Sequence, residues 1–497
     1  MQIVTHTLAL NLVLGSTNEQ FLIPSYQRRY SWQDKQLFEL IDDISMIDGN
    51  DNHLLGSIVC LTGNHRAGVN PLELVDGQQR LTTITILLEC LKERFAAESH
   101  AEHVQELDRL LTARPYSGPA LPKIALDTMD AEEFSYLVKN PQIDPDKPFL
   151  NERLQRAFEN ARGWIEDQET DVLLAFKYRL LHQALVIRLD VGNARDAFKL
   201  FETINNRGLR LSPTDLIKNF LLGNAARFGE AALAAAKQSW GQVVKYLDST
   251  DTDAFFRYYL MAKTHSRLRK ADIVSEFQAH FMDQIVEAAK LPDRDWYAYE
   301  EFEEEEDASL DADEMAAAQG LDEAEISSRR TRQVSFEQFL KNLVTSARVF
   351  GELVNHNTDD AVIDRHLRNL RMIKATQAYG FLMHLQTGGT DRKTFIDILR
   401  RTENFILRRH VCRERSNDTE TLFANLCSID PENPLEVVKD SYRDFSPSDE
   451  KFEEEFAATE FAPNTMDRAR YCLERLELAK HGAHAELTVL GTELCAC

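Results

Sequence analysis

The residues best suited to chemistry lie in Leu72–Thr83, where an apolar run ends in an Asp-Gly pair and an amphipathic pattern begins. The pattern predicts a short strand, a tight turn and a helix whose first turn carries Gln78, Gln79 and Arg80. Free backbone N–H groups and the positive end of the helix dipole suit an anion such as phosphate at this point. Arg80 adds a forked charge that matches phosphate geometry. A simple turn before a surface helix would use the same residues, so the stretch alone leaves both interpretations open.

Each residue of this turn has a candidate role in phosphate chemistry. The backbone from Gly77 to Gln79 and the side chain of Arg80 would hold phosphates. Asp76 is the acid placed to hold Mg²⁺ or to position a water, and Gln78 or Gln79 would orient the attacking water. The sequence contains no GxxxxGK[ST] motif, so any hydrolysis of nucleoside triphosphates needs a cradle other than a P-loop.

A second stretch, Ser25–Trp32, is dense in aromatic and cationic residues. We predict a loop here that closes on the same pocket, with Tyr26, Gln27, Arg28 and Arg29 as binding residues. Core packing of the aromatic rings and ordinary surface charge on the arginines are the alternatives.

A third stretch, Ala197–Asn219, predicts a helix, a turn closed by Gly208 and a new helix capped by Ser212. Asn206 and Arg207 lie in the turn. We predict that they contact a nucleotide, with Arg207 reaching the phosphates across a domain junction. A helix-to-helix turn without a ligand explains them equally well at this stage.

The elements that must position these residues indicate an α+β protein, in which a small N-terminal α/β domain precedes a large, mostly helical region. A chain of 497 residues is expected to form several domains, since single cores rarely exceed about 250–300 residues. The predicted strands cover about 21–24, 53–61, 72–75 and 185–189, and a helix over about 33–47 is predicted to start at a Ser31 cap. The predicted domains are residues 1–112, 113–297, an acidic flexible insertion at 298–328, and 329–497.

Composition predicts a cytoplasmic protein. The seven cysteines show no disulfide or zinc pattern, and the N-terminus lacks the features of a signal peptide.

The net charge of −24 argues against a nucleic-acid-binding surface over the whole protein, but it leaves room for a local basic one. The candidates for DNA contact are two basic clusters, for which a solvated charged face is the alternative. They are Arg365, Arg368, Arg371 and Lys374, and Arg408, Arg409, Arg413 and Arg415 around His410.

Three segments together, in this order and spacing, resemble the GmrS-type domain of modification-dependent (type IV) restriction systems: Ile23–Trp32, Leu74–Thr83 and Phe201–Lys218. The resemblance implies a ParB/sulfiredoxin-like N-terminal fold, with nucleotide binding and hydrolysis around Asp76-Gly-Gln-Gln-Arg80. It also implies a helical remainder.

Relatives often continue into an HNH nuclease domain after a helix like Met466–Leu476. Here His481 and His484 are the nearby histidines, and no His-plus-Asn arrangement follows. We therefore expect a separate subunit, or a segment missing from this chain, to supply the nuclease.

The expected function is that of an NTP-binding and NTP-hydrolysing sensor of a restriction system, with an NTP and Mg²⁺ as cofactors. Its expected partners are modified double-stranded DNA, an HNH nuclease subunit and further copies of itself, without a membrane. One alternative is a non-enzymatic, ParB-like DNA-binding adaptor. Another is a metal-dependent nuclease that uses Asp76 as a metal ligand.

Overall fold

The computed structural model describes residues 3–62, 68–115, 118–140, 149–205, 212–248, 250–288, 334–460 and 466–481. The predictions for Asn206, Arg207 and the acidic segment 298–328 therefore fall outside the described residues.

The strands of the described residues are β1 (Ile3–Ala9), β2 (Glu19–Ile23), β3 (His53–Thr62), β4 (Asn70–Asp76), β5 (Thr112–Ala113), β6 (Leu121–Pro122), β7 (Ile124–Leu126) and β8 (Ala184–Val191). Up to residue 205 the helices are α1 (Leu10–Gly15), α2 (Asp34–Ser45), α3 (Gln78–Ala97), α4 (Ala101–Leu111), α5 (Ala131–Lys139), α6 (Glu152–Glu166), α7 (Thr170–Tyr178) and α8 (Ala194–Asn205). The later helices are α9 (Pro213–Phe228), α10 (Glu230–Tyr246), α11 (Thr252–Thr264), α12 (Ile273–Gln284), α13 (Phe336–Asn355), α14 (Ala361–Met372), α15 (Tyr379–Thr387), α16 (Arg392–Val411), α17 (Ser416–Leu426), α18 (Leu435–Phe445), α19 (Asp449–Ala457) and α20 (Met466–His481).

A mixed sheet organises the N-terminal part, in the order β1-β8-β3-β4-β2-β7 among the described residues. β1 pairs antiparallel with β8 and β3 antiparallel with β4, whereas β8–β3, β4–β2 and β2–β7 are parallel. The strands predicted from the sequence are all present, with longer bounds. Because β7 and β8 come from beyond residue 112, the sheet draws on more of the chain than the expected first domain.

The long helix α3 lies in the core of this part. Most of its side chains are buried, including Leu81, Ile84, Leu87 and Leu88. Its buried threonine hydroxyls return a hydrogen bond to the preceding turn of the helix, as Thr83 Oγ1 does to the Gln79 carbonyl at 2.9 Å. This local pairing satisfies polar groups that would otherwise be costly to bury.

The start of α2 differs from the prediction that Ser31 caps it. The N-cap is Gln33, whose side chain accepts from the N3 backbone while Gln36 Oε1 accepts from the Gln33 N–H at 2.9 Å. Two glutamines thus form the reciprocal capping box in which Ser or Thr is the usual partner of Glu or Gln.

The predicted Ser212 cap of α9 is confirmed, since Ser212 Oγ accepts from the Asp215 N–H and Pro213 opens the helix.

The chain forms two compact units, one built mainly from residues 1–245 and the other mainly from 246–285 and 341–497. The first contains the mixed sheet with its helices, and the second is helical throughout its described residues apart from one isolated bridge at Ile285. The predicted α+β fold class is therefore confirmed. Among the described residues, no helix combines the length and the apolar character that crossing a membrane requires.

Candidate phosphate-binding site

The turn between β4 and α3 depends on Gly77. Its φ of +89° lies in the left-handed region, which L side chains rarely adopt. A Cβ at this position would lie 2.5 Å from Ile58 Cγ2 on β3. Only glycine therefore lets the chain pass directly from strand to helix here, and the first N–H groups of a twenty-residue helix face the end of the sheet.

The Arg80 side chain lies against Gly56 and Ser57 of β3. Its Nη1 donates to the Ser57 carbonyl at 2.9 Å. Gly56, with a φ of +107°, leaves room for the guanidinium, since a Cβ there would lie 3.0 Å from Arg80 Nη2. A guanidinium has five N–H donors in a rigid fork, so this contact fixes its orientation and leaves other donors for an anion.

Asp76 is a partly buried carboxylate at the end of β4. Burial raises the pKa of Asp76 above its ordinary value, although the Gly77 N–H and the charges of Arg80 and Lys218 favour the ionised form. A second carboxylate, Asp215, adds to the rise. The residues of the turn therefore share one electrostatic environment with the first turns of α9.

Lys218 on α9 is tied to the loop after β2. Its Nζ donates to Gln27 Oε1 at 2.8 Å and lies 3.5 Å from Asp215 Oδ1. The Gln27 amide in turn donates to the carbonyls of Leu74 and Val75 at 3.2 and 2.9 Å. Gln27 thus joins α9 to β4 immediately before the turn.

Two cations, the exposed Arg28 and the buried Lys218, act on the carboxylate of Asp215. Burial would raise the pKa of Asp215, but the positive charges of Lys218 and Arg28 outweigh it and hold that pKa below its ordinary value. Arg28 is exposed, so of the predicted loop residues it is the cation most accessible to a ligand.

The two glutamines of the turn differ in their contacts. Gln79 uses both ends of its amide on the loop, accepting from the Ser31 N–H at 2.7 Å and donating to the Arg29 carbonyl at 3.2 Å. Gln78 is 8% exposed, and its Oε1 has no hydrogen-bond partner among the described residues. A buried amide oxygen without a partner is uncommon in folded proteins.

Two predicted binding residues are held by other groups. Tyr26 is 1% exposed, and its hydroxyl donates to Glu73 at 2.5 Å, which also accepts from Lys237. Arg29 Nε donates to Asp130 at 2.6 Å. These contacts order the ends of the loop that carries Gln27 and Arg28.

The structure thus brings together Asp76, Gly77, Gln78, Arg80 and the Gln27–Arg28 loop. Asn206 and Arg207 lie outside the described residues. The sequence prediction did not assign Asp215 and Lys218 to the site, because an Asp-x-x-Lys spacing at a helix start has an ordinary capping explanation. The signals in the sequence were a lysine within the apolar run of α9 and the position of both residues in the third resembling segment, Phe201–Lys218.

These described residues hold no group of three or more His, Cys, Asp or Glu side chains placed as a cation site. Magnesium in phosphate-binding proteins is often held by one or two carboxylates together with the phosphates and waters. Asp76 is a carboxylate that could act in this way, whereas Asp215 is already bonded to Ser212 and Lys218.

The strand–turn–helix presents backbone N–H groups, a fixed guanidinium and a partly buried carboxylate. These features define a class of candidate phosphate-binding domains. Residues 10–222 match the family described as "GmrSD restriction endonuclease, N-terminal domain". Residues 10–222 therefore form a domain of the GmrSD restriction-system type, which confirms the resemblance predicted from the sequence. The comparison with curated proteins gave no match.

Proposed function

We propose that this protein is a nucleotide-dependent regulator of its restriction system, which binds an NTP at the turn between β4 and α3 and hydrolyses it. In this proposal the nucleotide state licenses a nuclease carried by another subunit when modified DNA is sensed. The observation that carries the proposal is the convergence of Arg80, the start of α3 and the partly buried Asp76 on one turn. Hydrolysis requires this combination of positive charge for the phosphates and an acid for the metal.

The roles of the individual residues follow from their contacts. Arg80 would bind the phosphates in the orientation set by Ser57, together with the N–H groups of Gln78 and Gln79. Gln78, whose Oε1 has no partner among the described residues, is better suited than Gln79 to position a water. Asp76 would hold Mg²⁺, which neutralises phosphate charge when bound.

Lys218 and Arg28 would support this site from α9 and the loop. Lys218 is 5% exposed and bonded to Gln27 and Asp215. It therefore supplies a fixed positive charge near Asp76 rather than a mobile one. Arg28 is exposed and would contact the outer part of the nucleotide. Tyr26 and Arg29 would then act through the loop by holding its backbone.

The test is release of inorganic phosphate by the purified full chain with Mg²⁺ and each of the four NTPs, combined with a direct nucleotide-binding measurement. We expect Arg80→Ala to lower the rate by at least about 100-fold, since it removes a fixed donor at the phosphate. Arg114→Ala is the matched control, because Arg114 is a surface arginine of the same unit with an exposed ion pair to Asp108. Its rate should equal that of the wild type.

Absence of both nucleotide binding and phosphate release would contradict the proposal. DNA binding that is insensitive to nucleotide and weakened by Arg80→Ala would instead support a ParB-like adaptor that grips DNA through the turn.

A further inference from the structure

A row of cations lies along the exposed side of α14 in the second unit. Arg365, Arg368 and Arg371 follow one another at three-residue spacing, with Lys374 just after the helix, and all four side chains are exposed. Within the described part of the chain, the three arginines form no ion pair with a carboxylate, and the acid of α14, Asp364, is half-buried and accepts from Thr358. We refer to the three arginines as the cationic row.

Three other exposed arginines of the second unit each pair with a carboxylate nearby in the sequence. Arg348 Nη1 lies 2.7 Å from Glu352 and Arg400 Nη2 lies 2.6 Å from Asp397. Arg443 pairs with Asp440 in the same way. The three arginines of the cationic row differ from these, because they carry positive charge without such a carboxylate partner in a protein whose net charge is −24.

The opposite side of α14 is fixed in place. His366 Nδ1 lies 2.5 Å from Glu403 Oε1, and Asn369 Nδ2 donates to both oxygens of that carboxylate, at 3.2 and 3.3 Å. Glu403 is fully buried, and Ile363 and Leu367 of the same helix face are buried as well. These buried contacts fix the rotation of α14 about its axis. The direction in which the cationic row faces is therefore fixed as well.

The positive region continues from α14 towards α20. Burial and then the nearby Arg468 lower the pKa of His410 to about 4, and Lys374 contributes to the same effect. Lys374 and Arg468 therefore both lie near this imidazole. Tyr471 of α20 bonds to Glu403 at 2.9 Å, so the same carboxylate fixes both helices.

We infer that the cationic row binds the sugar–phosphate backbone of duplex DNA without reading its sequence. Arg365 and Arg371 are separated by about 9 Å along the axis, at 1.5 Å per residue. A duplex presents roughly five phosphate charges over that length. Exposed positive charge on a rigid helix suits this regular array.

Two features favour a duplex over a single strand and over base readout. No aromatic side chain lies in α14, whereas proteins that bind single strands stack bases on exposed aromatic rings. Asn369, the amide that would suit an adenine edge, is occupied by Glu403. The row therefore supplies affinity and position, and the selection of modified DNA must come from other residues.

The experiment is a titration of the full chain against a labelled duplex oligonucleotide over a range of salt concentrations, without nucleotide. The test variant replaces Arg365, Arg368 and Arg371 by Ala. The slope of log K against log salt should become shallower by about 2.7, since each phosphate contact contributes about 0.9. At physiological salt this corresponds to a loss of affinity on the order of 100-fold.

A matched variant replaces Arg348, Arg400 and Arg443 by Ala, which changes the net charge by the same amount on the same unit. Its slope should equal that of the wild type. Equal slopes for the two triple variants would overturn the inference. Tighter binding of an unstructured oligothymidine than of the duplex, or binding of an acidic polypeptide with the same dependence on the row, would also overturn it.

This inference does not rest on nucleotide hydrolysis. Phosphate release without DNA reports on Arg80, whereas DNA binding without nucleotide reports on the cationic row. Failure of one therefore leaves the other intact. Circular dichroism of each triple variant shows whether a loss of binding comes from unfolding.

Discussion

At the scale of single residues, the proposed role of Asp76 conflicts with the stability of the fold. Burial raises the pKa of its carboxyl, and the neighbouring Gly77 N–H, Arg80 and Lys218 offset that effect only in part. An ionised acid in such a position lowers the free energy of unfolding at neutral pH, because water would solvate it better in the unfolded chain. Groups retained at such a cost are common at functional sites.

Replacing Asp76 by Asn should therefore leave the protein at least as stable as the wild type while abolishing phosphate release. The amide keeps the shape of the side chain but removes the poorly solvated charge and the proposed metal ligand. Thermal unfolding and the phosphate-release assay measure the two effects. Asp108→Asn, at an exposed carboxylate of the same unit, should change neither. A marked loss of stability in Asp76→Asn would show that the carboxylate is structural.

Gly77 can be tested by stability alone. Ala at this position must adopt a φ of +89° and place its Cβ 2.5 Å from Ile58 Cγ2. We expect Gly77→Ala to lower the free energy of unfolding by about 2–4 kcal/mol, combining backbone strain with overpacking.

Gly163 is the control for that substitution. It lies within α6 with open space where a Cβ would be added. Gly163→Ala should raise the free energy of unfolding by about 0.5–1 kcal/mol, because alanine loses less entropy in a helix. Urea denaturation of both variants measures the difference, and equal stabilities would contradict our account of the turn.

At the scale of elements, the sequence predicts the strands, turns and helix caps that depend on residues close together along the chain. The apolar run before Asp76-Gly77 and the helical spacing after it are local patterns, and β4, the turn and α3 were predicted from them. The capped start of α9 at Ser212 was predicted for the same reason. The cap of α2 was predicted at Ser31, yet a pair of glutamines performs that role.

Contacts between distant segments could not be predicted in this way. No local pattern indicates that Gln27 bonds to Lys218, or that Arg80 needs the Ser57 carbonyl and the open space at Gly56. These pairings depend on sheet order, which places β3 between β8 and β4. The types of residue in the candidate site were therefore predictable, and the supports that orient them were not.

Glu403 is the corresponding support in the second unit, where it joins three helices. It lies on α16, is fully buried and accepts from Asn369 of α14 and from Tyr471 and Arg475 of α20. Removing a buried charge that has several partners leaves those partners without a hydrogen bond, which is costly.

Glu403→Gln should therefore lower the free energy of unfolding by about 3 kcal/mol. Backbone amides of α20 should also exchange with solvent faster than those of α16. Hydrogen exchange resolved by segment measures both effects. Glu436→Gln, which removes an exposed ion pair with Lys439, should leave the free energy of unfolding nearly unchanged. Uniform destabilisation without faster exchange in α20 would show that Glu403 does not anchor that helix.

At the scale of the whole molecule, two histidines make stability depend on pH. Burial, followed by the charge of Lys263, lowers the pKa of His280 to about 4. The pKa of His410 also lies near 4, for reasons of burial and of nearby cations. Both belong to the second unit, so acidification should act mainly there.

The sign follows from proton uptake. In the unfolded chain a histidine takes up a proton as the pH falls through about 6.5, whereas in the folded protein His280 and His410 stay neutral until about pH 4. The unfolded state therefore binds more protons over this range, and the free energy of unfolding falls as the pH drops from about 6.5 to 4.

Chemical denaturation at a series of pH values measures the slope of the free energy of unfolding against pH. Replacing His280 by Phe and His410 by Gln together should flatten it, and His265→Asn, at an exposed position, should leave it unchanged. A double variant with the wild-type slope would place the pH dependence in other groups.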